Sequence, residues 1–528
     1  MIRKALSLLL AAALCLCLLP GALAEAAKPE YAEITVEVFD RGTDGGKTDP
    51  TNNFYTDWIK KKVLEDENIG VTFVAVSRWE ETEQLNNLMA AGTAPDISFT
   101  YSGELITNYS QQGGVVDLTP YIESGVLDDL KAFLGADLAK PGSDFIYRNQ
   151  INETGATYSI PARRMNVAQN NTFIRKDWLD KLGLPIPTTT EEYVEALRQF
   201  KAQDPGGVGL DKVIPFTMTN DVRWRASTIL DSFIDPELSD RDRWVNTIAD
   251  RYFLLPNYKE GFRLLNQLYN EGLIDPEFAL YKDDTPSDNL IKSGVVGSFI
   301  HNWDQPYRDT PGLLRDLQIN VPEAEIVAID PFVNSAGQTA KGLYDAAGLN
   351  FFVPIFSKAP EAALRYANWL SRVENRYYLQ IGEEGVTHVL ENGIPRLISA
   401  EGPQIMNSAQ NIDYTFGING LDTGNPETYV QALASSYTVD PQLIVDAYEL
   451  AMKDGRPSIV VPGVEILSAG PVNQTLVDKG LTLMARAVTA KPEEFDATWD
   501  ADIADWLAAG AQEVLDERAE KYIAPSAE

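Results

Sequence analysis

From residue 34 onward, short strand-like runs alternate with amphipathic helical stretches, and this alternation constrains the fold more than any other feature of the chain. Ile34-Thr35-Val36-Glu37-Val38-Phe39 alternates as a strand. Phe54 to Glu65 then carries Trp58, Ile59 and Val63 at helical spacing, and the pattern repeats with a strand at Gly70 to Val76, a helix at Glu80 to Ala91 and a strand at Asp96 to Thr100. Strands that take turns with helices predict an α/β fold with mostly parallel sheets flanked by helices. Ligands of such sheets gather beyond the carboxyl ends of the strands. That rule singles out the loops at Asp40-Arg41 and Tyr101-Ser102.

The alternation breaks at Tyr158 to Phe173, where Ser159-Ile160-Pro161-Ala162-Arg163-Arg164 leads into Asn170-Asn171-Thr172-Phe173. It resumes with a helix at Arg175 to Leu184, a strand around Val213 to Phe216 and a helix at Lys259 to Glu271. A second extended segment, Gly348 to Pro354, precedes a helix at Pro360 to Val373. These two segments predict crossings between two lobes. The tail, Ile503 to Leu515, places Ile503, Trp506, Leu507, Val514 and Leu515 at three- and four-residue spacing, as one amphipathic helix does.

Arg3 and Lys4, the apolar run Ala5 to Leu19 and the small-residue site Ala22-Leu23-Ala24 read as a secretory leader cleaved before Glu25. Both cysteines, Cys15 and Cys17, fall inside it, so the mature chain is expected to hold no disulfide and no Cys-ligated metal. Leu14 and Leu16 stand where a lipoprotein signal needs small residues. The net charge of -33 excludes nucleic acid as the main partner, since binding a phosphate backbone needs clustered cations. With 44% hydrophobic residues the acidity does not signal disorder. A length of 528 residues allows two to four domains, or two large lobes.

Several ordered segments resemble the extracellular solute-binding proteins of bacterial ABC importers, in their sugar and oligosaccharide branch. They include Leu88-Met89-Ala90-Ala91-Gly92-Thr93-Ala94-Pro95-Asp96-Ile97, Val116-Asp117-Leu118-Thr119-Pro120-Tyr121, Arg175-Lys176-Asp177-Trp178-Leu179, Leu268-Tyr269-Asn270-Glu271-Gly272-Leu273-Ile274-Asp275-Pro276 and Gly382-Glu383-Glu384-Gly385-Val386-Thr387-His388. The resemblance implies a periplasmic-binding-protein-like fold of type 2, with two discontinuous α/β lobes joined by a multi-segment hinge. The expected division is 25-168 with 350-400, and 169-349 with 401-528. It further implies a monomer that holds a carbohydrate between the lobes, closes by hinge motion and is read by a membrane permease. One departure concerns calcium. Where many relatives carry a calcium loop, this chain has Asp204-Pro205-Gly206-Gly207-Val208-Gly209-Leu210-Asp211-Lys212, and only Asp204 survives as a side-chain ligand. The loop reads as a plain turn, and no metal or cofactor is expected.

A sugar site pairs flat apolar faces with a few bidentate polar groups. The candidates are Asp40, Tyr101, Arg163, Arg164, Asp221, Arg223, Trp224, Asn302, Trp303 and Asp304. Each has a simpler reading as a core aromatic or a solvated charge. Arg163 and Arg164 suit either a carboxylated sugar or, more simply, an ion pair that ties the hinge to an Asp or Glu. Enzyme signatures are mostly absent, because His301 and His388 are the only histidines and no G-x-S-x-G elbow occurs. The alternatives are a peptide- or amino-acid-binding relative of the same fold and a secreted glycosidase using two carboxylates.

Overall fold

The computed structural model describes residues 28–42, 48–309, 312–399, 401–406 and 412–522. The expected leader lies outside them. Among the described residues, no helix is long and apolar enough to cross a membrane.

The strands in chain order are β1 (Ala32–Asp40), β2 (Ile69–Ser77), β3 (Ser98–Thr100), β4 (Ile160–Arg164), β5 (Asn170–Arg175), β6 (Ile214–Thr217), β7 (Val296–Asn302), β8 (Ile326–Ile329), β9 (Ala347–Phe352), β10 (His388–Glu391), β11 (Ile394–Leu397) and β12 (Ile418–Asn419). β10 and β11 form a separate hairpin. One sheet has the order β12-β4-β9-β3, and a single bridge, Val36 to Ile97, links it to the parallel pair β1-β2. The other sheet has the order β6-β7-β5-β8.

Among the described residues three large apolar cores follow from this, with a smaller cluster around Leu85, Leu105, Ile106, Tyr109 and Phe352. Val36, Phe99, Ile160, Phe351, Trp369 and Phe416 belong to the core of the first sheet. Trp178, Phe200, Phe262, Trp499 and Trp506 pack on one side of the second sheet, and Phe173, Phe299, Tyr307, Leu433 and Ile444 on its other side. Each such side chain, fully buried, contributes roughly 1.5–3 kcal/mol.

The sheets are mixed, not mostly parallel as expected. β1-β2, β4-β12 and β6-β7 run parallel, but β5 is antiparallel to both β7 and β8, and β9 is antiparallel to both β3 and β4. The physical reason lies in how these two strands are reached. Helical crossovers impose parallel pairing, whereas β5 and β9 are entered directly from links between the sheets and carry no such constraint. The first link, 165–169, falls inside the segment where a crossing was expected. The second is 330–346, upstream of the expected Gly348 to Pro354, which is itself β9 and the residues after it. β12 pairs with β4, and just before it Tyr414 and Phe416 pack in the first core. The tail is not one helix. Phe495–Trp506 and Gln512–Lys521 are separated by a wide turn in which Gly510 has φ 122°, a conformation open chiefly to glycine.

Asp204 ends the helix Thr190–Gln203, and its carboxylate accepts the amides of Val208 (2.9 Å) and Gly209 (2.7 Å). A Cβ on Gly206 would lie 2.6 Å from the Trp178 ring. The loop closes on its own backbone and does not offer the oxygen set that calcium needs.

Candidate functional site

The carboxyl ends of β3, β4, β7 and β12 come together, and side chains at or just past those ends are joined by hydrogen bonds and ring contacts. Tyr101 follows β3. Its amide donates to Glu81 Oε1 (2.9 Å), its ring lies parallel to Phe39 with centroids 6.2 Å apart, and the Arg78 guanidinium sits 4.3 Å above it. Ser102, the next residue, caps the helix Gly103–Gln111 through the Leu105 amide, so Tyr101 is held between a strand end and a fixed helix start.

Arg164 ends β4 opposite Asn419 of β12. It donates to Asn419 Oδ1 (3.0 Å) and to the Asp345 carbonyl (3.1 Å), and its guanidinium lies 4.0 Å over the Tyr344 ring. Asn419 in turn donates to the Tyr101 hydroxyl (2.9 Å). From the second sheet come Trp224, whose ring is 6.0 Å from Tyr344, and Asn302, which accepts the Tyr344 hydroxyl at 3.4 Å. Tyr344 thus touches groups from both sheets. Burial raises its hydroxyl pKa well above the usual value, with Arg164 pulling the other way, so it stays a donor at neutral pH.

A cavity of about 430 Å³ opens beside this cluster. Tyr101, Asp345 and Asn350 line it from the first sheet's side, and Trp244, Val461 and Arg518 from the second's. A smaller one of about 190 Å³ adjoins it and shares Trp244, Ile459 and Arg518. The larger falls within the usual size of a small-molecule site.

Of the residues singled out from sequence, Tyr101, Arg164, Trp224 and Asn302 come together through these contacts, and of the four Tyr101 is the one that lines a cavity. Asp40 is exposed at the end of β1, with its carboxylate on the Gly42 amide. Arg163 points to the other face of the strand, where it donates to the Leu134 carbonyl and lies 5.5 Å over Phe145. Among the described residues, neither Arg163 nor Arg164 forms the ion pair that the simpler reading expected. Arg223 is buried against Tyr252 at 4.3 Å, with Asp250 at 4.0 Å. Asp221 meets Arg251 at 3.8 Å. Trp303 is only 4% exposed and packs edge-on against Tyr448 in a core, and it lines neither cavity. Asp304 is equally buried, held by Arg308 (2.8 and 3.1 Å) and by the Tyr437 hydroxyl (2.7 Å).

Tyr344, Asn419 and the second cavity's arginines were not foreseen. Asn419 gives no local signal, because its place is set by pairing with a strand 255 residues away.

The family model for bacterial extracellular solute-binding proteins matches residues 52–377, more than half of the chain. The fructooligosaccharide ABC transporter substrate-binding protein FusA of Streptococcus pneumoniae is 36% identical over 111 residues, a match that spans 20% of each chain. The polygalacturonan/rhamnogalacturonan-binding protein YtcQ of Bacillus subtilis is 21% identical over 481 residues, covering 87% of this chain and 86% of that one. Among solved structures, the alginate-binding protein AlgQ2 without calcium ion superposes with a TM-score of 0.65 at 20% identity, over 92% of this chain and 97% of that one. This structural neighbour shares the two-lobed fold. The chain belongs to the bacterial extracellular solute-binding proteins.

Proposed function

We propose that this protein captures a carbohydrate, an oligosaccharide, between its two lobes and hands it to the permease of an ABC importer. The observation that carries this reading is the cluster of Tyr101, Tyr344 and Trp224 interleaved with Arg164, Asn302 and Asn419. It sets aromatic rings beside paired donors and acceptors, the mixture that the C–H side and the hydroxyl edge of a sugar call for. The names of FusA, YtcQ and AlgQ2 point to the same class of ligand. The lobes divide after Arg164, between Ile329 and Ala347, and after Asn419, and closure turns on those three links. The protein works as a monomer outside the cytoplasm and performs binding without a covalent step.

A thermal-shift panel of neutral oligosaccharides, uronic-acid oligosaccharides and peptides tests the reading. A ligand of the folded form alone stabilises it by RT ln(1 + [L]/Kd), about 2.7 kcal/mol at a hundredfold excess over Kd. We expect a rise in melting temperature with at least one oligosaccharide. Stabilisation by peptides alone would overturn the assignment, and release of shortened sugars would mark a glycosidase.

A further inference from the structure

We infer that the smaller cavity receives an anionic group of the ligand, which makes the solute an acidic oligosaccharide built on uronic-acid units. This rests on the carbohydrate reading and narrows it. Three arginines, Arg243, Arg456 and Arg518, line the cavity against one carboxylate, Asp250. So many cations at one place are unexpected on a chain of net charge -33.

Their bonding leaves donors unspent. Arg456 meets the buried Asp231 at 3.4 Å and, among the described residues, its guanidinium donates no hydrogen bond to protein. Arg518 gives Nε and Nη2 to a single acceptor, the Trp244 carbonyl (3.0 and 2.6 Å), and stacks 4.0 Å over the Trp244 ring. Among the described residues it forms no ion pair within 4 Å, and the carboxylate that acts on it, Glu104, belongs to the wall of the larger cavity. Arg243 gives one donor to the Pro457 carbonyl (2.7 Å), and its nearest acid, Asp240, is 3.6 Å away and exposed. Burial lowers the Arg243 pKa and the adjacent Arg456 lowers it further, while burial brings Arg518 down to about 10, so the cavity holds cations at a cost. An anion placed here would relieve that repulsion and accept bidentate hydrogen bonds in the geometry that guanidinium offers.

Size and position agree. The volume of about 190 Å³ is many times the roughly 10–15 Å³ that a single water needs, enough for a carboxylate and part of its ring. Shared walls at Trp244, Ile459 and Arg518 connect it to the larger cavity, where the rest of a chain would lie. That cavity's own arginine, Arg148, is already committed to Asp137 and Asp345, which leaves the smaller cavity as the anion-selecting end.

The test is calorimetric titration of the intact protein with oligogalacturonates, oligoalginates and oligoglucuronates, their methyl esters, a sulfated oligosaccharide and neutral oligosaccharides of equal length. It is run on the wild type and on Arg456→Gln, Arg456→Lys and Arg243→Gln, each first checked for an intact melting transition. We expect at least one uronate series to bind, its methyl ester to bind about tenfold more weakly or worse, and Arg456→Gln or Arg243→Gln to lose a similar factor. Arg456→Lys should recover only part of it. Binding of neutral sugars at least as tight as that of every uronate, unaffected by the variants, overturns the inference and leaves the carbohydrate reading standing. Preference for the sulfated sugar would replace carboxylate by sulfate and overturn the uronate assignment. If none of these sugars binds while the peptides of the thermal-shift panel stabilise the protein, the underlying carbohydrate reading falls instead.

Discussion

Replacing Arg148 by methionine should destabilise the folded protein by about 3–5 kcal/mol, measured by denaturant unfolding, the largest single-residue effect expected outside the apolar cores. Arg148 is 4% exposed, and its Nε and Nη2 hold both oxygens of Asp137, which is 2% exposed. Its Nη1 reaches Asp345 at 2.9 Å, in the link between the sheets. Removing the guanidinium strands a buried carboxylate, and that carboxylate must either stay charged in a poor medium or take up a proton. Methionine keeps most of the volume, so a loss of this size reports the charge and not a cavity. A companion variant, Arg148→Met with Asp137→Leu, removes both charges and should recover most of the loss. If the single variant alone costs less than about 1 kcal/mol, the range of an exposed ion pair, the buried Arg148–Asp137 contact does not stabilise the fold as argued. Because Arg148 also fixes Asp345, the single variant should loosen the segment that carries Tyr344.

Tyr344→Ala should weaken ligand binding by about tenfold to a hundredfold while leaving most of the folding stability intact. The ring is the one described group that touches both Arg164 of the first sheet and Trp224 and Asn302 of the second. A desolvated guanidinium-ring contact contributes up to about 2 kcal/mol, and an aromatic pair about 0.5–1.5 kcal/mol. Those terms join groups of the two sheets, so under the proposed closure their loss penalises the closed form. Tyr344→Phe, which removes only the long hydrogen bond to Asn302, should cost less than a factor of five, since a neutral hydrogen bond contributes about 1 kcal/mol at most here. Equal binding by Tyr344→Ala and wild type would remove this residue from the site. Calorimetric titration with the oligosaccharide that gives the greatest stabilisation decides it.

How far the sequence revealed the site depends on the kind of information each residue needed. The strand-helix alternation marked β1, β2 and β3 and, through the carboxyl-end rule, Tyr101. The break after Tyr158 marked the first link and Arg164 beside it. Alternation along a strand then decided details that composition could not. Arg163 and Arg164 are neighbours on β4 and point to opposite faces, one to the Leu134 carbonyl and the other over Tyr344. Asn302 and Trp303 divide in the same way at the end of β7, where a run of apolar residues hides which side faces the core. The aromatic was the more tempting ligand contact, yet it is the core residue. Arg223 and Trp224 differ by one step of a short helix, and the buried cation is the one that packs on Tyr252.

What the sequence could not show was set by distant pairing. β12 is two residues long and lies in a stretch with no helical or strand period, and only its register with β4 brings Asn419 to Arg164 and Tyr101. The arginines of the smaller cavity come from residues 243, 456 and 518, on segments that meet only in the folded chain. The antiparallel settings of β5 and β9 have the same origin, since a strand delivered by an inter-sheet link takes its direction from the hinge and not from a local crossover.

The central claim is that the ligand lies between the two sheets and touches both. Hydrogen exchange of the intact protein, with and without a saturating oligosaccharide, tests it most directly. The account predicts slowed exchange at once in Gly103–Gln111 and residues 344–350 on one side and in residues 456–466 and 243–252 on the other. Protection confined to one side, or found only away from these segments while the sugar is bound, would contradict it.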